Sequence, residues 1–94
     1  MENKIYHFSV EEIKIFHQNI AKNVARIRKK KKISQLELSL LLGYQSVSLV
    51  AGAEAGYKNI HFNLEHLYKI AKILEVDMVE FFKGCGVKTP PFQL

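Results

Sequence analysis

Residues 33–56 read ISQLELSLLLGYQSVSLVAGAEAG, and the helix boundaries written into that stretch decide the fold. Ser34 can accept from the first free amides of a short helix, Gln35 to Leu42, which Gly43 ends by taking the left-handed conformation that other residues resist. A second short helix starts near Gln45 or Ser46 and runs to about Ala55, with Gly56 as its natural stop. Two short helices are thus joined by only a few residues.

Working outward, the segment before this pair carries its own helix signals. Ser9 caps a first helix and Glu12, three residues on, completes a capping box. Ile13, Phe16, Ile20, Val24 and Ile27 recur every three or four residues as one buried stripe, and the helix either runs unbroken to about Lys30 or breaks near His17 to Asn19. Lysines at its end suit the negative pole of the helix dipole. Beyond the pair, Tyr57 to Phe62 reads as a loop. Asn63 then caps a fourth helix with Leu64, Leu67, Ile70, Ala71 and Leu74 on one face. Asp77 and Glu80 repeat the capping-box spacing and open a fifth helix with Phe81 and Phe82 facing inward. After Lys83 the periodicity is lost, so the remainder reads as a flexible tail. No segment alternates apolar and polar residues between turn dipeptides, so the expected fold class is all-α with five helices. The expected organisation is a partly helical N-terminal extension over 1–19, a domain over 20–83 and a tail over 84–94.

Composition sets the outer limits. Ninety-four residues make one core, and 48% hydrophobic with 24% charged residues is the balance of a globular chain. Cys85 is the sole cysteine, which rules out an intrachain disulfide and fits a reducing compartment. The start, Met1 to Phe8, lacks the pattern of a signal peptide, and no apolar run approaches the roughly eighteen residues of a membrane span, so a cytoplasmic location is expected. The four histidines, His7, His17, His61 and His66, show no ligand or nucleophile spacing; no metal, cofactor or enzyme activity is expected. The net charge of +5, much of it in Lys29 to Lys32, favours an anionic partner.

Between about Ile20 and Phe82 the order Arg28, Ile33-Ser34-Gln35, Leu38, Leu42-Gly43, Glu54-x-Gly56, Leu64-Glu65-x-Leu67, Ile70-Ala71 and Leu74 resembles the Cro and lambda-repressor-like helix-turn-helix family. The resemblance implies a transcriptional regulator that binds double-stranded DNA. In that fold the second helix of the pair lies in the major groove while the first braces it across the backbone. Gln35 sits where the family grips a phosphate, with Ser34 at the same helix N-terminus. Arg28 is expected to pair with Glu54 as a structural tie. Gln45, Ser46, Val47 and Ser48 stand where base edges are read: glutamine suits adenine, and valine can meet a thymine methyl. Lys58 and Asn59 begin the loop that touches phosphate in the family, and Lys32 closes the lysine run beside the same backbone.

Two departures from the family pattern matter. One residue is inserted between Gly43 and Glu54, so either Leu49 or Val50 takes the buried position, and Tyr44, Val47, Ala51 and Gly52 remain open as base-facing or core. Leu36, Leu40 and Leu41 occupy positions that are usually charged, and such leucines need a cover. Ile5, Tyr6, Phe8, Ile13 and Phe16 can supply it, within one chain, which is the favoured version, or across a dimer. Met78, Phe81 and Phe82 fall where the family makes its usual dimer contact. The expected function is a repressor acting on a palindromic operator as a homodimer. The alternatives are an antitoxin with a toxin partner, and a protein-interaction module on the same fold.

Overall fold

Among the described residues, side-chain caps start three of the four α-helices. The computed structural model describes residues 5–86, and among them the secondary structure is entirely helical. Helix α1 runs unbroken from Val10 to Lys30, opened by a capping box in which the Ser9 hydroxyl accepts from the Glu12 amide and Glu12 accepts from the Ser9 amide. Ser34 and Glu37 repeat that arrangement at the head of α2 (Gln35–Leu41), and Asn63 and His66 at the head of α4 (Leu64–Leu74). Helix α3 (Ser48–Ala55) begins without a side-chain cap and ends on Gly56 at φ 68°. A tight 3-10 turn follows over Tyr57–Asn59.

The last element corrects the expected fifth α-helix. Met78–Phe82 is a 3-10 helix: the Asp77 carbonyl accepts from the Glu80 amide at 3.0 Å, three residues on, while the Asp77 side chain accepts from the Val79 amide and not from that of Glu80. Phe81 is nonetheless fully buried, with Met78 and Phe82 half-buried against the core. Packing also continues past Lys83, where the tail was expected to begin. Asn23 Nδ2 donates to the carbonyls of Phe81 and Lys83, both at 2.9 Å, and Cys85 is buried beside it. Of the expected tail, residues 87–94 lie outside the described residues, as do residues 1–4 of the extension.

The core gathers Ile20, Val24 and Ile27 of α1, Leu38 of α2, Val50 and Ala53 of α3, Phe62, then Leu67, Ile70 and Leu74 of α4, and Phe81. Each of these side chains larger than Ala53 contributes about 1.5 to 3 kcal/mol on leaving water. α1 packs against α3 and the 78–82 segment, and α2 against α3 and α4. This division positions the site: α2 and α3 are held together as one face of the molecule.

Among the described residues, the N-terminal extension does not cover α2 within the chain. Leu36, Leu40 and Leu41 are 50 to 60% exposed, and Ile5, Tyr6, Phe8 and Val10 more so. The physical reason is the continuity of α1. Twenty-one residues rising about 1.5 Å each carry its first half along the α3 side of the domain, where Ile13, His17 and Gln18 meet Gly56, Ile60 and His61.

Candidate nucleic-acid interface

The inserted residue is taken up in the turn. Val50 is fully buried and Leu49 only partly, so α3 keeps the register counted back from Glu54 and starts late, at Ser48. α2 closes through two bonds, Gly43 N to Leu40 O and Tyr44 N to Ser39 O, a Schellman arrangement that needs Gly43 at φ 96°. Of the four base-reading candidates, Gln45, Ser46 and Val47 therefore lie in the turn before α3, and Ser48 alone lies within it. Gln45, Ser46 and Ser48 are exposed, and Val47 is half-buried. Ser46 Oγ accepts from the Ser48 amide at 3.3 Å and donates to Ser48 Oγ at 3.1 Å, which shapes the end of the turn. Gly52 is buried, and a Cβ there would come within 2.8 Å of Ile60 Cδ1, so it faces the core. Ala51 is half-buried, and Tyr44 is exposed with its hydroxyl on His66.

The brace beneath this face is an ion pair shielded from water. Arg28 Nε and Nη2 each donate to a different Glu54 oxygen at 2.8 Å, in the bidentate fork that guanidinium and carboxylate share. Both side chains are over nine-tenths buried. Arg28 also donates to the Ile33 carbonyl, and Gln35 Nε2 donates to Glu54 Oε1 at 2.9 Å. The Glu54 carboxylate thus ties α3 to α1 and α2, and Arg28 ties the α1–α2 corner to the same cluster. Gln35 keeps its own carbonyl oxygen clear of this bond, while the Ser34 hydroxyl is engaged with the Glu37 amide at 3.0 Å.

Lys58 and Asn59 are exposed on the turn after α3, in the left-handed region at φ 47° and 60°. Lys32 is exposed at the corner after α1, at φ 60°. Three further cations join them. Lys22, Arg26 and Lys29 flank a groove that also contains Gln35, Ala51 and Ala55. The signal for them was present as spacing, since steps of four and three residues share one helix face. Asn23, which fixes the C-terminal segment, carried no comparable signal. A lone helical asparagine says nothing about carbonyls nearly sixty residues away.

Among the described residues no group of three or more His, Cys, Asp or Glu is placed to hold a metal ion, and no helix is long and apolar enough to cross a membrane. A family model described as helix-turn-helix matches residues 24–81, well over half of the chain. No curated protein matches it.

Proposed function

This chain belongs to the Cro and lambda-repressor type of helix-turn-helix family, a family of DNA-binding transcription regulators, and from that membership we propose that it is a repressor that binds a palindromic operator as a homodimer. The observation that carries the proposal is that α3, led by the exposed Gln45, Ser46 and Ser48, also lines, through Ala51 and Ala55, a groove flanked by Lys22, Arg26 and Lys29. Gln45, Ser46, Val47 and Ser48 read base edges, with glutamine pairing to adenine. Gln35, Ser34, Lys32, Lys58 and Asn59 hold the phosphate backbone, joined by Lys22, Arg26 and Lys29. Arg28 and Glu54 keep α3 at a fixed angle to its brace. The DNA-binding unit spans 20–83, with 1–19 as an extension.

In a two-fold complex the two α3 helices enter major grooves about one helical turn apart, some 34 to 36 Å. The test is stoichiometry on a palindromic duplex, measured by sedimentation: two protomers per duplex support the proposal, and one protomer on a single half-site with full affinity sinks it.

A second reading is favoured by one observation. The exposed Leu36, Leu40 and Leu41, together with Ile5, Tyr6, Phe8 and Val10, leave more apolar surface in water than a bare DNA-binding unit needs. This fits an antitoxin or an interaction module that covers those residues with a partner protein. Sequence-independent binding, or none, combined with a stable complex with a co-expressed small protein, favours it over the operator reading.

A further inference from the structure

The turn that carries Gln45 has an anchor outside the helix pair. The Tyr44 hydroxyl lies 2.9 Å from His66 Nε2, and the two rings meet edge to face with centroids 6.1 Å apart. His66 is the third residue of α4. Its Nδ1 accepts from the Asn63 amide at 3.0 Å, and the Asn63 side chain accepts from the His66 amide at 2.7 Å. A histidine therefore fills the capping-box position usually held by Glu or Gln.

These contacts fix the proton on the ring. Nδ1 must turn a lone pair to the Asn63 N–H, so the single hydrogen of the neutral imidazole sits on Nε2 and is donated to the Tyr44 oxygen. The imidazolium carries hydrogens on both nitrogens. It would set one N–H against another at Asn63 and place positive charge at the positive end of α4.

We infer that His66 is a positioning residue for the DNA-reading turn: its neutral Nε2–H tautomer holds Tyr44, and through it Gln45, and DNA affinity falls when this imidazole is protonated. The inference rests on Gln45 to Ser48 being the base-facing segment.

Several groups face the ring. Burial acts most strongly and disfavours the cation. On α4 itself Glu65 favours the cation while Lys69 opposes it; His61, from the segment before the helix, opposes it too, and the turn presents only the Tyr44 hydroxyl. The balance holds His66 below the ordinary histidine value. The unfolded chain then takes up protons first as pH falls through about 6.5, so the stabilisation is complete above that pH and is lost as pH drops toward the native value. The sign is opposite to that of added positive charge alone, which strengthens attraction to phosphate.

The experiment measures affinity of the full chain for its selected duplex at about pH 7.5 and about pH 5.5, on either side of the ordinary histidine value, at constant ionic strength. His66→Gln retains a capping-box side chain, and Tyr44→Phe leaves the cap intact while removing the hydroxyl. The parent loses roughly two- to tenfold on acidification, the scale of one hydrogen bond. Both variants bind more weakly than the parent at the higher pH and show little further loss. Histidine nitrogen spectra of the parent show the Nε2–H tautomer for His66 at the higher pH. The inference is overturned by a parent whose affinity is flat or rises in acid, by either variant keeping the full acid loss, or by an Nδ1–H tautomer. Absence of binding at the higher pH with the Nε2–H tautomer intact overturns the assignment of the turn to DNA, and the positioning role with it. That outcome is distinct from a failed tie between His66 and Tyr44.

Discussion

At the scale of single residues, Ser39 is the clearest test of packing against polarity. It is fully buried at the base of the turn, and among the described residues its hydroxyl has no hydrogen-bond partner. A small residue there lets α2 cross its neighbours closely, but an unpartnered hydroxyl costs about 1 to 3 kcal/mol. Ser39→Ala is expected to raise stability in urea unfolding by about 1 kcal/mol; a loss of that size would mean the hydroxyl has a partner. Arg28 lies at the other extreme. Arg28→Met removes both bonds to Glu54 and leaves a buried carboxylate alone with Gln35, which is expected to cost about 3 to 5 kcal/mol in denaturant unfolding. A cost below about 1 kcal/mol, the range of an exposed pair, would show that water reaches Glu54. The DNA roles separate in the same way: Gln45→Ala is expected to relax sequence choice, and Lys58→Ala to weaken all duplexes about equally. Equal relaxation by both would contradict the assignment.

At the scale of elements, the corner between α1 and α2 combines strain with charge. Lys32 sits at φ 60°, with its amide on Lys29 O and the Ile33 amide on Arg28 O, the position where glycine usually closes a helix. Lys32→Gly is expected to leave stability unchanged or higher by a few tenths to about 1 kcal/mol, while reducing the salt slope of DNA binding by about one. Stability is read from thermal unfolding and the slope from affinity at several salt concentrations. The helices of this chain were legible where a side-chain cap forms: Ser9 with Glu12, and Ser34 and Asn63 by themselves, announce their helices in the sequence. α3 was misplaced by two or three residues because its start has no side-chain cap; only the burial of Val50, a tertiary fact, sets the register. The same limit applies at 78–82, where Asp77 and Glu80 have the spacing of a capping box, yet Asp77 turns to Val79. Of the candidate site, the exposed polar turn Gln45 to Ser48 could be singled out from residue type and its place after Gly43, whereas the Tyr44–His66 link joins residues 22 apart with no periodicity between them.

At the scale of the whole molecule, the two uncovered apolar regions bear on assembly. Leu40 and Leu41 on α2, and Phe8, Val10 and Ile13 at the start of α1, stay in water in the single chain. If a dimer covers them, Leu41→Glu should weaken self-association in sedimentation without lowering monomer stability, since an exposed side chain contributes little to the fold. Unchanged association would place the dimer contact elsewhere. Charge works at the same scale. A chain of net charge +5 with cations grouped around α2 and α3 should bind any duplex weakly and lose that binding steeply with salt. Specific recognition adds about 4 to 10 kcal/mol to this background. The most direct measurement is therefore selection from a pool of random duplexes at two salt concentrations, followed by sequencing. A palindromic motif that persists at the higher salt, with half-sites about one helical turn apart, is the predicted result. Salt-sensitive binding without any motif, or no binding at all, would contradict it.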